Sequence, residues 1–521
     1  MNARGIAAGV ALSLSVIGGG WVLARGLNAR TADDAGATLF DVVLSHVRHY
    51  YVDSIPDSVL FEHAMVGMLR ELDDPYTLYL PPARLSRMEE QTSGNYVGIG
   101  AQIQRRDRYP MIIAPFPGSP SERAGLRTGD RVVGIDSVST RGWTVEETTR
   151  ALRGPRGSTV RITIERPGHA EPLVIPVTRD GVHRRAVARS GLLANGVGYV
   201  DVNVFNDSTA GELRAAIDSL RGVGMRSLIM DLRGNPGGVL AQGVSVADMF
   251  LDPSQRIVSL RGRGRSQEVV DSAPQLWPDL PLVVLVDGAS ASASEIVAGA
   301  LQDHDRALIM GRRTFGKGSA QGVFRVAVGG VKVTTDRWFT PAGRSIDQVR
   351  NEDGESERQA PRYRTDAGRE VLGGGGIVPD TAIGDTALTP AEQALEQALG
   401  SRVLRFREAM VDVAMAVRSR GEVTQIDFPV TDAMIEELWL AMQRRRLRFD
   451  RGIYADAQPL VSRLLAREIA RYVFGPQGVA ERSIRDDRVI QAAVRLVGTA
   501  RSPADLLGRV TGGDASSVTG R

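Results

Sequence analysis

Two lysines, at positions 317 and 332, are the only ones among the 64 lysine and arginine residues of this 521-residue chain. Arginine stays charged at any working pH, whereas a lysine ammonium desolvated in an apolar pocket can lose its proton and act as a base. Lys317 stands between two glycines, away from any run of charge. We therefore predict that it is a general base. Lys332 lies in an alternating, strand-like run, and we interpret it as a residue without a chemical role.

A serine that such a base could activate occurs in residues 282–296, which run from an apolar strand through a tight turn into a helix. Three serines lie in this turn, at positions 290, 292 and 294. The free N–H groups and the dipole of a helix N-terminus stabilise negative charge, which suits an alkoxide nucleophile or the oxyanion that follows its attack. Taken alone, the segment is also explained if its small serine and alanine residues only cap and pack the helix.

Histidine is the usual base for a serine, and His304 is the nearest one in sequence. If the helix continues unbroken, a rise of about 1.5 Å per residue places His304 roughly 18 Å from Ser292. That distance is out of hydrogen-bond reach, so Lys317 is the better candidate. Serine–lysine pairing is a known variant of the catalytic triad, in which a polar group orients the lysine. Gln321, four residues beyond Lys317, can supply that hydrogen bond.

Short strands separated by glycine and proline turns begin near residue 95. This region resembles a PDZ domain, since Gly98, Ile99 and Gly100 stand where that family has its carboxylate-binding loop. Residues 119–130 also match the helix, turn and strand signature of the family. The resemblance implies that an extended peptide adds a strand to the sheet edge while loop N–H groups bind its terminal carboxylate.

Five motifs in the second half of the chain occur in one family order. They lie at residues 231–238, 290–296, 314–321, 340–346 and 375–380. With them the chain resembles the carboxyl-terminal processing peptidases, the tail-specific serine proteases of peptidase family S41. The resemblance implies that Ser292 is the nucleophile, that Lys317, 25 positions later, is the base, and that Gln321 orients it. It also implies an oxyanion hole formed by the backbone N–H groups of Gly238 and Ala293.

Helical patterns occur before residue 73, and short apolar strands are predicted at residues 197–204, 227–232, 282–286 and 307–310, with helical stretches between them. In the C-terminal part, apolar stripes predict helices at 390–398, 404–417, 431–442 and 459–474. The fold class predicted from these patterns is α/β and multidomain. We expect a signal or membrane anchor over residues 1–30, a helical segment over 31–94, a PDZ domain over 95–180, a Ser/Lys peptidase core over 181–388, and a helical extension with a disordered tail over 389–521. The resemblance implies that the core is an α/β layered fold of the ClpP/crotonase-like type. The extension lies outside the region that resembles the family.

An uncharged, mostly apolar run covers residues 5–24 and is flanked by arginines. Its length is just enough to cross a bilayer as a helix, so we predict an uncleaved anchor that holds the chain at the inner membrane with its catalytic part in the periplasm.

The chain has no cysteine, and its six histidines show no metal-binding spacing, so we expect neither metal nor cofactor. The net charge of +3 does not indicate nucleic-acid binding.

These observations together predict a membrane-anchored serine endopeptidase that recognises unstructured, apolar protein C-termini. Relatives in the family dimerise through their helical N-terminal segment, so the resemblance implies a homodimer or higher homo-oligomer. A lipoprotein or other adaptor is a further expected partner. A catalytically silent PDZ scaffold is the first alternative, although a scaffold needs no serine, lysine and glutamine set. An acyl-CoA hydratase or hydrolase is the second, and binding of a CoA ester would distinguish it.

Overall fold

The structure is a computed structural model that describes residues 32–166, 168–270, 273–347, 361–383 and 389–511. The helices are α1 (Ala32–Tyr50), α2 (Asp57–Arg70), α3 (Pro82–Ser93), α4 (Pro120–Arg123), α5 (Val145–Leu152), α6 (Thr209–Gly222), α7 (Leu240–Asp248), α8 (Ala293–Asp303), α9 (Pro390–Leu399), α10 (Val403–Arg420), α11 (Asp432–Arg444), α12 (Arg451–Asp456), α13 (Gln458–Asp486), α14 (Arg488–Val497) and α15 (Pro503–Thr511).

The strands, in chain order, form the rest of the regular structure. They are β1 (Leu78–Leu80), β2 (Asn95–Gly98), β3 (Ala101–Arg106), β4 (Tyr109–Pro115), β5 (Arg131–Ile135), β6 (Val138–Ser139), β7 (Thr159–Glu165), β8 (Leu173–Thr178), β9 (Asp180–His183), β10 (Val187–Leu192), β11 (Val197–Val202), β12 (Ser227–Asp231), β13 (Arg256–Gly262), β14 (Arg265–Val270), β15 (Leu282–Val286), β16 (Leu308–Gly311), β17 (Ser319–Arg325), β18 (Gly330–Phe339), β19 (Arg362–Arg364), β20 (Glu370–Leu372) and β21 (Thr381–Ala382).

The described residues form two compact units. The first contains the chain up to Leu85 together with Gln321–Thr334, and the second contains Ser86–Ala320 and the chain from Thr335 onward. In the first unit, β1 pairs antiparallel with the beginning of β18, so that Leu78 lies opposite Lys332. The helices α1 and α2 confirm the helical texture predicted before residue 73, whereas the three-residue strand β1 was not predicted.

The second unit contains a six-stranded sheet with the order β10-β11-β12-β15-β16-β21 in the region predicted to be a peptidase core, and we call it the peptidase sheet. The strands from β11 to β21 run parallel, and β10 is an antiparallel edge. The four core strands expected from short apolar runs are confirmed as β11, β12, β15 and β16. Parallel strands of this kind are apolar throughout because both faces of the sheet are covered.

Successive residues of a strand point to opposite faces, and β15 shows where each face packs. Leu282, Val284 and Val286 belong to a core formed with α6, α7 and α8, whereas Val283 and Leu285 pack against α14 and α15. The last two helices of the C-terminal extension thus cover the second face of the peptidase sheet. The extension is therefore part of the hydrophobic core that positions the site.

The region that resembles a PDZ domain contains a sheet with the order β3-β4-β5-β7-β8, in which β3 is an edge strand. On β4, Ile112 faces the domain's own core, while Met111 and Ile113 join the cluster formed by the helices of the C-terminal extension. Because successive side chains of β4 point to opposite faces, one face of the sheet at this strand packs in the domain's own core and the other packs on the extension. The extension packs on both the PDZ-like sheet and the peptidase sheet.

Four helices predicted for the extension are confirmed as α9, α10, α11 and α13. Helix α13 was expected to end near Phe474, but it continues to Asp486 through a residue of non-helical backbone at Gly475, with φ 72° and ψ −161°. Within the ranges that the structure describes, no helix is long and apolar enough to cross a membrane. The predicted anchor over 5–24 and the tail after Gly512 lie outside the described residues.

Candidate active site

Ser292 lies in the turn between β15 and α8, immediately before the first residue of the helix. Its backbone has φ 57° and ψ −114°, a conformation that non-glycine residues rarely adopt and that costs about 1–3 kcal/mol. The residue is half-buried. Backbone strain of this kind concentrates at functional sites, where the surrounding contacts maintain it.

The two neighbouring serines serve structural roles. Ser290 is buried and donates its hydroxyl to the carbonyl oxygen of Leu232 at 2.8 Å. Ser294 is also buried and donates to the carbonyl oxygen of Asn235 at 3.0 Å. Both hydroxyls fix the turn to a distant loop. Of the three serines that the sequence left open as nucleophiles, Ser292 is the one that is neither fully buried nor used in this way.

Glu295 joins the serine turn to the segment that carries Lys317. Its fully buried carboxylate accepts hydrogen bonds from the N–H groups of Ser292 at 2.7 Å, Gly316 at 2.7 Å and Lys317 at 2.9 Å, and from the Thr314 hydroxyl at 2.6 Å. Burial raises the pKa of Glu295, and these four hydrogen bonds oppose that shift. The serine and lysine segments therefore share one buried acceptor.

The role of Glu295 was missed by the sequence reasoning, although a signal for it was present. A serine followed three positions later by glutamate is the signature of a capping box, in which the glutamate side chain returns to the N-cap N–H group. Ser292 and Glu295 have this spacing, and the N–H of Ser292 donates to Glu295. What the motif alone does not reveal is the additional contact with residues 314–317.

Lys317 is half-buried, and its backbone is fixed at both ends. Its N–H donates to Glu295, and its carbonyl oxygen accepts a hydrogen bond from the Trp338 indole N–H at 3.1 Å. Trp338 itself is buried. Two buried partners thus hold the backbone of Lys317.

Residues 231–238, which we call the glycine loop, pass directly beside the serine turn. The N–H of Ala291 donates to the carbonyl oxygen of Asn235 at 3.0 Å. A Cβ atom on Gly237 would lie 2.5 Å from the carbonyl oxygen of Ala291 and 2.8 Å from the Ser292 Cβ. Only glycine permits this close approach, which brings the loop backbone against the residue predicted to be the nucleophile.

Gly238 and Ala293 carry the two N–H groups expected to form an oxyanion hole. Among the described residues, neither N–H donates a hydrogen bond to a protein acceptor. Gly238 is exposed, with φ 150°, and a Cβ there would lie 2.0 Å from the Phe205 carbonyl oxygen. Ala293 is the first residue of α8, where helical N–H groups have no partner in their own helix. Neither N–H is thus committed to an acceptor in the described part of the chain; Gly238 is exposed, whereas Ala293 is fully buried.

His304 lies at the C-terminal end of α8, which is continuous from Ala293 to Asp303, as the distance argument assumed. Both of its ring nitrogens have partners, with Nδ1 lying 2.7 Å from Asp366 Oδ2 and Nε2 lying 2.7 Å from the Arg256 carbonyl oxygen. The structure therefore leaves His304 in a structural role.

Gln321 belongs to the first compact unit, whereas Ser292 and Lys317 belong to the second. Inside its own unit, the Gln321 amide nitrogen lies 3.4 Å from the Thr334 hydroxyl, at the long limit of a hydrogen bond. The proposed contact of Gln321 with Lys317 stays a prediction.

The loop formed by Gly98, Ile99 and Gly100 leads into the edge strand β3, beside α5. Gly100 has φ 73°, and a Cβ there would lie 2.5 Å from the Ser119 Cβ, so the loop needs glycine at this position. The N–H groups of Ile99 and Gly100 have no acceptor among the described residues. These N–H groups and the unpaired edge of β3 have the character of a strand-addition site.

A cavity of about 310 Å³ lies at the carboxyl ends of the parallel strands, between the glycine loop and the C-terminal extension. Its lining is polar and includes Arg189, Asp201, Asp231, Arg233 and Asp487. Burial, followed by the charge of Asp231, raises the pKa of Asp201 to about 6, and the nearby arginines oppose this shift. The folded protein therefore holds a carboxylate here that ionises with difficulty.

Replacing Asp201 with asparagine is expected to stabilise the protein at alkaline pH. The raised pKa means that the stability Asp201 gives at acid pH is lost as pH rises through about 6. A shift of this size corresponds to at most about 3 kcal/mol. Denaturation at about pH 8 should show Asp201→Asn to be the more stable protein, with the difference vanishing near pH 4. The control is Asp218→Asn, the same substitution at an exposed aspartate that is paired with Arg214.

Comparison with known proteins finds similarity in two regions of the chain. The family model for peptidase family S41 matches residues 196–353, and the model for a PDZ domain matches residues 112–166. The carboxy-terminal-processing protease of Bartonella bacilliformis is 35% identical over 351 residues, covering 66% of this chain and 79% of the relative. The carboxy-terminal processing protease CtpA of Bacillus subtilis is 32% identical over 337 residues, covering 64% and 72%.

Among solved structures, the photosystem II D1 C-terminal processing protease is 29% identical, with a TM-score of 0.37, and the match covers 67% of this chain and 88% of that one. A PDZ domain of the carboxy-terminal protease from Vibrio cholerae, solved in complex with a peptide, is 28% identical, with a TM-score of 0.16, and the match covers 17% of this chain and 98% of that one.

Proposed function

Since this chain belongs to the carboxy-terminal-processing proteases of peptidase family S41, we propose that it is a serine endopeptidase of Ser/Lys type that binds unstructured, apolar protein C-termini. The observation that carries the proposal is the strained serine turn. Ser292 stands at the N-terminus of α8, with the glycine loop against it and two unpaired N–H groups nearby. Glu295 ties the same turn to the segment of Lys317.

In the proposed mechanism, the Ser292 Oγ attacks the scissile carbonyl carbon while a neutral Lys317 amine takes its proton. The oxyanion that forms accepts hydrogen bonds from the N–H groups of Gly238 and Ala293. The lysine then protonates the leaving amine, which departs and leaves an acyl-enzyme. Water, activated by the same lysine, hydrolyses this ester. Gln321 is proposed to orient the lysine amine.

The substrate is proposed to enter through the PDZ domain. Its C-terminal residues would extend the sheet as a strand beside β3, and its carboxylate would accept hydrogen bonds from the loop at Gly98, Ile99 and Gly100. The unpaired N–H groups of this loop support the assignment. The site needs no metal or other cofactor for this chemistry.

The cellular setting is proposed from the sequence. Residues 5–24 would anchor the chain at the inner membrane, with the catalytic part in the periplasm. A homodimer through the N-terminal helices is supported by apolar side chains that α1 leaves exposed, among them Leu39, Phe40 and Val43. A lipoprotein or other adaptor protein is the further proposed partner.

The proposal is tested with an unstructured peptide that has an apolar C-terminus, offered either as the free carboxylate or as the amide. The protein without residues 1–30 is expected to cleave the free form with a kcat/KM about tenfold or more higher, because the amide loses charge-assisted hydrogen bonds to the PDZ loop. Cleavage products are identified by mass spectrometry. Ser292→Ala should bind the peptide and leave it intact.

Two other results would point elsewhere. Binding of the free peptide without cleavage by the unmodified protein would favour the silent scaffold. Equal cleavage of both peptides would leave the peptidase in place and remove carboxylate recognition from the PDZ loop. Binding of a CoA ester, with no peptide cleavage, would favour the hydratase or hydrolase alternative.

A further inference from the structure

Arg233 links the glycine loop to the C-terminal extension. Its guanidinium donates two hydrogen bonds to the Asp231 carboxylate, at 2.9 Å and 2.7 Å, and its Nη1 lies 3.0 Å from Asp487 Oδ2. Burial alone would lower the pKa of Arg233, but the hydrogen bonds and charges of Asp231 and Asp487 raise it. The guanidinium is therefore permanently charged and held between the end of β12 and the extension.

Asp487 is itself rigidly placed. Its other carboxylate oxygen, Oδ1, accepts hydrogen bonds from the N–H groups of Val489 at 2.9 Å and Ile490 at 3.0 Å, so it caps the N-terminus of α14. Val489 and Ile490 are buried against the peptidase sheet. One carboxylate thus joins a fixed helix to the arginine of the glycine loop.

The loop needs such external anchors because of its composition. Gly234, Gly237 and Gly238 have φ values of 71°, 88° and 150°, and glycine backbone is otherwise free to adopt many conformations. Asn235 provides one anchor, through the N–H of Ala291 and the hydroxyl of Ser294. Phe205 provides another, through backbone hydrogen bonds with Gly237 and Val239 on either side of Gly238. The loop also borders the 310 Å³ cavity, and the Arg233–Asp487 ion pair lies in the lining of this cavity.

We infer that Asp487, in the C-terminal extension, is a positioning residue for the oxyanion hole and acts through Arg233. This inference rests on the proposed function, in which the N–H of Gly238 stabilises the oxyanion. Such an N–H is effective only if it is held where the negative charge develops, and a misplacement of about 1 Å can reduce the rate about 100-fold. The extension would then support catalysis without touching substrate.

Asp487→Asn isolates the charge, because asparagine caps a helix as well as aspartate does. We expect kcat for the free-carboxylate peptide to fall about tenfold or more, with little change in KM or in the affinity for a non-cleaved C-terminal peptide. A peptidyl boronate, whose tetrahedral adduct with serine occupies an oxyanion hole, should bind more weakly by a similar factor. Asp487→Glu, which keeps the charge, should recover part of the loss.

Asp505 provides the matched control, since it also lies in the extension and pairs with an arginine, Arg509, but does not contact the glycine loop. Asp505→Asn should leave kcat unchanged. Hydrogen exchange of the amides in residues 232–238 gives a readout that needs no activity, and exchange should be faster in Asp487→Asn alone.

Unchanged exchange in the glycine loop of Asp487→Asn would overturn the inference even if the protein proved not to be a peptidase. A fall in kcat that follows only a lower melting temperature, or that appears equally in Asp505→Asn, would also overturn it. Faster loop exchange in a protein without peptidase activity would instead count against the proposed function, while the structural link would stand.

Discussion

Lys317→Arg is expected to reduce peptide cleavage about 1000-fold or more while the protein stays folded. A guanidinium cannot lose its proton at working pH, so it cannot take the proton of Ser292. The fold should tolerate the change because the contacts described for residue 317 with Glu295 and Trp338 involve backbone atoms. Initial rates on the free-carboxylate peptide, compared at equal melting temperature, measure the effect.

Lys332→Arg is the matched control, because it makes the same substitution at the chain's other lysine. Lys332 is half-buried on β18, and burial lowers its pKa, so it is also a lysine that could in principle be deprotonated. We expect Lys332→Arg to retain most of the activity. The assignment of the base to position 317 would be wrong if Lys332→Arg lost activity and Lys317→Arg kept it.

The choice among the three serines illustrates the limit of reasoning from residues alone. The free N–H groups and dipole of a helix N-terminus favoured a serine at the start of α8 as nucleophile, but only the family resemblance selected the middle serine of the three. The structure gives an independent reason, since the hydroxyls of Ser290 and Ser294 are bound to carbonyl groups 58 and 59 residues earlier in the chain. Contacts over such separations leave no local signal in the sequence.

The predicted strands are confirmed where burial requires a run of apolar residues in the sequence. The strands β11, β12, β15 and β16 are apolar runs because helices cover both faces of the sheet, and such runs are visible in a sequence. The strand β1 has only three residues, too few for a period to be recognised. Helix α13 was expected to end near Phe474, but it continues to Asp486 although Gly475 and Pro476, which commonly interrupt helices, follow that residue.

The C-terminal extension was predicted to be helical, but its role in the fold could not be predicted from the sequence. Its helices α14 and α15 form the second apolar layer of the peptidase sheet, and other helices of the extension pack on Met111 and Ile113 of the PDZ-like sheet. The amphipathic stripes of these helices were recognisable, but a stripe does not identify its partner surface. Which sheet a helix covers is decided by tertiary packing.

Glu295→Gln is expected to reduce both stability and activity. Each carboxylate oxygen of Glu295 accepts two hydrogen bonds, and at least one of each pair comes from a backbone N–H. A glutamine NH₂ group in either orientation would therefore face a backbone N–H whose hydrogen bond it cannot accept. Leaving such groups unsatisfied in a fully buried site should cost about 3 kcal/mol. Denaturant unfolding measures this loss, and peptide cleavage should fall about 100-fold, because the serine and lysine segments lose their shared acceptor.

Glu392 offers the comparison that separates this role from ordinary helix capping. It holds the same position in the capping box of α9, where one carboxylate oxygen accepts from the N–H of Thr389 and the other pairs with Arg463. Glu392→Gln should cost about 1 kcal/mol or less and leave cleavage unchanged. Equal losses in the two variants would mean that Glu295 only caps α8. A fall in the cleavage rate of Glu295→Gln at a temperature where the variant is fully folded would mean that the carboxylate aligns the nucleophile with the base. Loss of a helix cap alone would lower the free energy of unfolding and leave the cleavage rate of the folded protein unchanged.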